Sequence, residues 1–124
     1  MSARENVLKD KSFELAVSVV NICQHLIDNK KQFVLSKQLL RSGTAVGSLI
    51  REAQNAESRA DFIHKLGISQ KECDESIYWL ELLKETEFLT DSEFQELEKK
   101  ATEILRMLRS SIITSKRNKQ SETK

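Results

Sequence analysis

The residues of this sequence that could do chemistry are two cysteines, two histidines and a short acidic strip. Cys23 and His25 are two positions apart, which on a helix places them on opposite sides, so they cannot share a metal ion. Glu57, Asp61 and His64 do share one helical face, a spacing that resembles half of a di-iron site. A complete site needs Glu-x-x-His from each of two helices, and the sequence has no such motif. We therefore expect no metal and interpret the strip as solvated acids near a helix start.

No other pattern in the chain favours catalysis. The segment 43–47 has two glycines but lies inside a helical pattern, so it does not match a phosphate-binding loop after a strand. The serines have no base and orienting group nearby in the sequence pattern. We expect a protein that is not an enzyme, with no cofactor and no small-molecule substrate.

The cysteines and the hydropathy pattern bear on where the protein works. Cys23 and Cys73 occupy apolar helical positions, which favours packing as reduced thiols over a reactive role. The N-terminal residues are polar and do not resemble a signal peptide. No apolar run approaches the roughly 18–20 residues that span a bilayer. We expect a cytoplasmic protein without a membrane partner.

Apolar residues at helical spacing predict the elements that hold these side chains. The chain has no proline and three glycines, and strand-like alternation is hard to find. The predicted helices cover about 11–29, 36–56, 59–87 and 90–115. Their predicted N-caps are Asp10 or Ser12 for the first, Ser58 for the third, and Thr90 with Glu93 in a capping box for the fourth.

Short connections between these helices predict the fold class. Sequential neighbours joined by short loops pack antiparallel. We predict an all-α, up-down-up-down, left-handed antiparallel four-helix bundle that forms a single domain over residues 1–115. Residues 116–124 are predicted to form a polar, disordered tail.

Helix 1 carries two apolar stripes, whereas a helix of a monomeric bundle needs only one. We expect the stripe that contains Phe13, Val17 and Val20 to face the core. The other stripe of helix 1, together with outward apolar residues of helix 3, then predicts a homo-oligomer interface. Its residues are Leu15, Val19, Ile22, Leu26, Ile68, Trp79 and Leu82. A splayed bundle in which other helices cover helix 1 on both sides is the alternative. In helix 2, Gly43 and Gly47 lie one turn apart and favour close approach of another helix.

Charge is distributed unevenly although the net charge is only +1. Residues 72–98 carry one basic and 10 acidic side chains, whereas residues 99–124 carry 8 basic and 2 acidic ones. Basic positions on the outer sides of helices 2 and 4 predict contacts with phosphates. The candidates for nucleic-acid binding are Lys37, Arg41, Arg51, Arg59, Lys99, Arg106 and Arg109. Ordinary solvation of the helices is the alternative. No aromatic residues interleave with these cations, which argues against base stacking.

Four segments of helices 2 and 3 match a known protein family in residue type and spacing. They are LRSGTAVG (40–47), EAQNAES (52–58), DFIHKL (61–66) and YWLELL (78–83). Over about residues 10–112 the chain resembles the bacterial four-helix-bundle family named for proteins encoded in 23S rRNA intervening sequences. This resemblance implies a ring, typically a pentamer. Relatives include the accessory protein of diversity-generating retroelements, which binds nucleic acid and a reverse transcriptase. The resemblance supplies no catalytic residues.

Two functional hypotheses follow from the sequence. The first is a non-catalytic, homo-oligomeric scaffold, pentameric by resemblance, that contacts RNA or a nucleic-acid-binding protein through basic helix faces. The second is a protein–protein adaptor in which the acidic region of helix 3 docks a basic partner without nucleic acid.

Overall fold

Four helices make up the chain in the computed structural model, which describes residues 2–122, with the side chains of Lys119, Ser121 and Glu122 left aside. They are α1 (Ala3–Lys30), α2 (Val34–Gln54), α3 (Arg59–Glu85) and α4 (Asp91–Glu122). No strand occurs between residues 2 and 122. The all-α four-helix bundle predicted from the sequence is therefore confirmed.

The predicted starts of α3 and α4 are confirmed by their capping hydrogen bonds. The Ser58 hydroxyl accepts from the Asp61 backbone N–H at 3.1 Å. At α4, the Glu93 N–H donates to the Thr90 hydroxyl at 3.1 Å, and the Thr90 N–H donates to the Glu93 carboxylate at 2.9 Å. This reciprocal pair satisfies two backbone donors that a helix start leaves without partners.

Helix α1 begins well before the predicted start at residue 11. Its N-cap is Ser2, whose hydroxyl accepts from the Glu5 N–H at 3.1 Å, so the prediction of Asp10 or Ser12 as cap was wrong. Lys31 ends α1 in the left-handed conformation, with φ of 55°, and its N–H bonds the Leu26 carbonyl. The longer α1 places Leu8 in the core, where it is 2% exposed.

Helix α4 continues past its predicted end near residue 115. The structure has residues 116–122 in helical conformation, so the prediction of a disordered tail was wrong for this part. The segment is polar, but it contains neither glycine nor proline, and lysine, arginine and glutamine are good helix formers. Residues 123 and 124 of the predicted tail lie outside the described part of the chain.

Each helix packs against two others, in the cyclic order α1, α2, α3, α4. The contacts between α1 and α2 run in opposite chain directions: Cys23 bonds Ser36, and Gln54 bonds Glu5. Between α2 and α3, Ser42 bonds Ser76, while Glu52 pairs with Lys65 farther along, so this pair is antiparallel too. The order of contacts agrees with the predicted up-down-up-down topology, while the handedness of the bundle stays a prediction.

Close approach of α1 and α2 occurs at the two glycines, as the sequence indicated. A Cβ atom on Gly43 would lie 2.9 Å from both methyl groups of Val19, closer than real side chains pack. A Cβ on Gly47 would lie 3.4 Å from the Ser12 backbone carbonyl oxygen. The glycines therefore let α1 sit close to α2, which compensates their unfavourable helix propensity.

Candidate nucleic-acid interface and association surface

Three residues predicted for the oligomer interface lie in the core of a single chain. Leu15, Val19 and Leu26 are each 0% exposed, and Ile22 is half-buried against the same core. The assignment of Leu15, Val19 and Leu26 to an oligomer interface was therefore wrong, because a side chain with no exposed surface cannot contact another subunit. With Leu8, the three fully buried residues form what we call the inner stripe of α1.

The inner stripe is longer than the sequence indicated, because α1 starts earlier than predicted. Positions 8, 15 and 26 project on one side of a helix at 100° per residue, so a helix that starts at Ala3 extends this stripe by one leucine. The opposite stripe gains no such residue. Val19 also fits the space that Gly43 leaves on α2, and this contact is available to only one face of α1.

The stripe that was expected in the core faces outward instead. Phe13 is 55% exposed, and Val17 and Val20 are each 45% exposed. We call these three residues the outer stripe. The Arg51 guanidinium of α2 lies over the Phe13 ring at 5.4 Å from its centre, so the outer stripe borders α2. A continuous apolar strip of this kind on one helix is typical of a contact site.

The predicted interface residues of α3 do not project freely from the bundle. Ile68, Trp79 and Leu82 are all half-buried. The Trp79 ring packs against the core, and its Nε1–H donates to the Glu75 carboxylate at 3.2 Å. Tyr78 is the more exposed aromatic residue, at 57%, and stands edge-on to Trp79. These residues form a second, weaker apolar area beside α2.

Two of the predicted cations on α2 already have partners within the chain. The Arg41 guanidinium binds the Glu72 carboxylate at 2.8 Å and also pairs with Glu75, both on α3. These two carboxylates neutralise its charge, which weakens its attraction for a phosphate. Arg51 lies over the Phe13 ring, whereas Lys37 is simply exposed.

The cations of α4 have a different environment. Lys99, Arg106 and Arg109 are exposed, and none forms an ion pair or side-chain hydrogen bond with the rest of residues 2–122. At 100° per residue, Lys116 and Arg117 fall on the same side of this helix. We call these five residues the α4 basic face. Glu103, a carboxylate that borders this face, interacts with Lys99 and bonds Lys11 at 2.8 Å, and the contact with Lys11 lowers the pKa of Glu103 and raises the pKa of Lys11.

The seven predicted nucleic-acid-binding residues do not form one surface. Helices α2 and α4 occupy diagonal corners of the bundle and make no contact with each other within the described chain. Lys37, Arg41 and Arg51 therefore lie on the other side of the molecule from Lys99, Arg106 and Arg109. Arg59, the first residue of α3, is half-buried at one end of the bundle. The expectation that the cations of α2 and α4 form one contact surface was therefore wrong, because the fold separates them into two groups.

Both thiols are buried, and burial is the largest influence on their pKa values. Cys23 donates to the Ser36 carbonyl at 3.3 Å and Cys73 to the Ala101 carbonyl at 3.2 Å. Burial raises the pKa of each thiol to about 12. Within residues 2–122, no three His, Cys, Asp or Glu side chains come together in a way that would hold a metal ion.

Comparison with known proteins places this bundle in a family. A family model described as 23S rRNA-intervening sequence protein matches residues 4–110. The chain belongs to the 23S rRNA-intervening sequence protein family. The match spans α1, α2, α3 and most of α4, so it includes every contact described above between helices.

A solved structure agrees with this family membership. A crystal structure at 1.70 Å from Bacteroides thetaiotaomicron VPI-5482, described as a protein of unknown function from the S23 ribosomal protein family, is similar to this chain with a TM-score of 0.87. The two sequences are 51% identical, and the similarity covers 88% of this chain and 97% of that one. A search of curated proteins gave no match. None of the helices in residues 2–122 combines the length and apolar character needed to cross a bilayer.

Two features of this family member escaped the sequence reasoning. Lys116 and Arg117 were assigned to a tail, although the unbroken run of helix formers after Ser115 could have indicated a longer α4. The outer stripe was recognised as apolar but was assigned to the core. Only the packing of α1 against α2 distinguishes its two stripes.

Proposed function

We propose that this family member is a non-catalytic homo-oligomeric scaffold that contacts RNA through the α4 basic face. The RNA contact is supported by one observation: cations of this face are available to bind a phosphate. On the α4 basic face, Arg106 and Arg109 form no ion pair with an acid within residues 2–122, whereas Arg41 on α2 is bound by two carboxylates. A phosphate backbone attracts cations that have no competing partner in the protein.

The dimensions of α4 support the same surface. A helix rises 1.5 Å per residue, so the cations from Lys99 to Arg117 extend over roughly 27 Å along one side of the bundle. Regularly spaced phosphates can bind several cations of such a rod at once. No exposed aromatic side chain lies among them, so the contact is with the backbone rather than with base faces.

Self-association is supported by the outer stripe. Phe13, Val17 and Val20 leave large apolar side chains about half exposed, and Val7 on the same helix is 42% exposed. We infer that a second copy of this chain covers the outer stripe. A closed ring needs two different surfaces on each subunit. The half-buried area of Trp79 and Leu82 beside α2 is a candidate for the second surface, and the pentameric count stays a prediction.

A salt titration of RNA binding tests the α4 contact. We expect the affinity of the whole protein for a structured RNA to fall steeply with salt, because binding releases counterions. The double variant R106E/R109E should weaken binding at least tenfold and flatten the salt dependence. The matched control K37E/K71E makes the same charge change away from α4. Equal losses in both variants would mean that binding follows net charge and not this face.

The adaptor hypothesis is the second candidate, and one observation favours it. Tyr78 is 57% exposed beside Trp79, and the exposed acids Asp74, Glu81 and Glu85 lie within two helix turns of Tyr78 on the same side of α3. Tyrosine and tryptophan are enriched in residues that dominate protein interfaces. Capture experiments from nuclease-treated lysate distinguish the two candidates. A basic protein retained by the wild type and lost with Tyr78→Ala, together with no RNA affinity, would favour the adaptor.

A further inference from the structure

An open cavity of about 670 Å³ lies at the end of the bundle where α1 and α3 begin. All four helices contribute to its walls, and no residue of the α4 basic face is among them. We call it the end cavity. Its volume is in the range of about 300–1,000 Å³ in which proteins bind small ligands.

Two helix starts meet at the end cavity. Ser2 and Ser58, the N-caps of α1 and α3, both line it. Each helix start carries backbone N–H groups without helical partners and roughly half a positive charge. Their hydroxyls already serve the Glu5 and Asp61 amides, so the helix ends are well formed. Such ends favour an anion, but they do not by themselves define a site.

Independent evidence comes from two serines on the opposite wall. Ser111 and Ser115 lie one turn apart on α4, line the cavity, and are each only 8% exposed. Neither hydroxyl has a hydrogen-bond partner within residues 2–122. Both hydroxyl oxygens keep some exposed surface, so they are available to donate to a ligand in the cavity. Two available donors on one wall fit a polar ligand that lies between α4 and the helix starts.

The charged groups on the walls narrow the chemistry of that ligand. Arg4 and Arg59 supply two guanidinium groups, and Glu5 and Glu57 supply two carboxylates. The side-chain charges therefore cancel, and the two helix starts shift the balance towards an anion. Guanidinium groups bind phosphate through two parallel hydrogen bonds, a geometry that lysine cannot reproduce. The cavity is larger than one phosphate, which leaves space for an attached group.

We propose that the end cavity binds the phosphate of a phosphomonoester, with Arg4, Ser111 and Ser115 as its donors. Arg59 already interacts with another residue of the chain, so it is not counted among them. A free mononucleotide and the 5′-phosphorylated end of an RNA strand share this chemistry. The proposal does not rest on the α4 basic face or on self-association, because the cavity and its donors belong to one chain.

Calorimetric titration with AMP and with adenosine tests the phosphate requirement. We expect AMP to bind, adenosine to bind at least tenfold more weakly, and inorganic phosphate to compete with AMP. Fluorescence anisotropy with one short RNA, carrying either a 5′-phosphate or a 5′-hydroxyl, tests whether the bound phosphate can belong to the end of an RNA strand. Binding of AMP alone assigns the site to mononucleotides, and a 5′-phosphate preference assigns it to RNA ends. Absence of any preference for phosphate in both experiments overturns the proposal.

Variants of the cavity walls locate the site. R4Q and the double variant S111A/S115A should each weaken the phosphate-dependent affinity about tenfold. E57Q removes a repelling carboxylate and should strengthen it about threefold. The control R106Q makes the same charge change as R4Q on the α4 basic face and should leave this affinity unchanged.

Arg4 is exposed, so R4Q tests the site even where the serine variant lowers stability. Circular dichroism melting verifies that each variant is folded. Equal effects of R4Q and R106Q would overturn the site. The R106E/R109E variant separates the test of the end cavity from the test of the proposed function. It should lower the affinities for the 5′-phosphate RNA and the 5′-hydroxyl RNA by the same factor.

Discussion

The inner and outer stripes of α1 contain similar side chains in very different surroundings. Leu15 and Val19 of the inner stripe have no exposed surface, whereas Val17 and Val20 of the outer stripe keep 45% of theirs. Helical periodicity treats the two alike. What separates them is a neighbour on another helix: Val19 lies against Gly43, and no helix within residues 2–122 covers Val17 to that extent. Hydrophobic periodicity therefore detects an apolar face of a helix, but it does not identify which surface covers that face.

The same lesson applies to the cations. Arg41 and Arg106 are both exposed arginines on outer helix sides, and both were candidates for phosphate binding. Arg41 is held by Glu72 and Glu75 across the α2–α3 boundary, which the sequence separates by more than thirty positions. Arg106 has no such partner within residues 2–122. Only the fold decides which cation is available for a ligand.

Thiol reactivity gives the largest expected contrast between the two sides of α1. Because burial raises the pKa of Cys23 to about 12 from an ordinary 9.0, the thiolate fraction at pH 8 falls roughly a thousandfold in the native protein. We expect iodoacetamide to alkylate both native cysteines at least several hundred-fold more slowly than a free thiol. A cysteine introduced on the polar side of α1, by Glu14→Cys, should react at the ordinary rate.

The raised thiol pKa values also fix the sign of a pH effect on stability. The folded chain keeps both thiols protonated, while the unfolded chain loses these protons near pH 9. This contribution to the free energy of unfolding is complete below pH 9 and declines as the pH rises towards 12. Fast alkylation of Cys23 at pH 8 in the folded protein would contradict its burial on the same side of α1 as the inner stripe.

Truncation of one residue on each stripe gives the next contrast. Leu15→Ala should lower the free energy of unfolding by about 3 kcal/mol, because it removes buried methyl groups and leaves a cavity. Val17→Ala should change it by less than about 0.5 kcal/mol in the dissociated chain. Urea denaturation, followed by the fluorescence of Trp79 at low protein concentration, measures both. Equal losses would show that Val17 is as buried as Leu15 in one chain.

Alanine substitutions at two of the glycines should change the free energy of unfolding by smaller amounts and in opposite directions. Gly43→Ala places a methyl group 2.9 Å from Val19 and should destabilise the fold by about 1–2 kcal/mol despite the better helix propensity of alanine. Gly67→Ala, in α3, meets no atom within 4 Å and should stabilise it by about 0.5–1 kcal/mol. Thermal melting of the two variants measures the difference. Stabilisation by Gly43→Ala would show that α1 does not approach α2 as described.

The parts of the fold that the sequence predicted correctly are those that depend on residues close together in the chain. The Ser58 cap and the Thr90–Glu93 capping box lie within four residues of the helix starts they define, and both were confirmed. The start of α1 was missed because Ser2 caps a polar first turn that resembles a disordered end. The orientation of α1 and the pairing of Arg41 depend on residues far apart in the chain. No local pattern records such contacts.

The central claim is that a second copy of the chain covers the outer stripe, and light scattering during size-exclusion chromatography tests it most directly. The wild-type protein should elute as a multiple of the 14.3 kDa chain mass. The variant Val17→Glu should dissociate to 14.3 kDa with unchanged helicity, and the control Glu14→Gln on the polar side of α1 should not. A wild-type protein that elutes as a single 14.3 kDa chain at micromolar concentration would contradict the account.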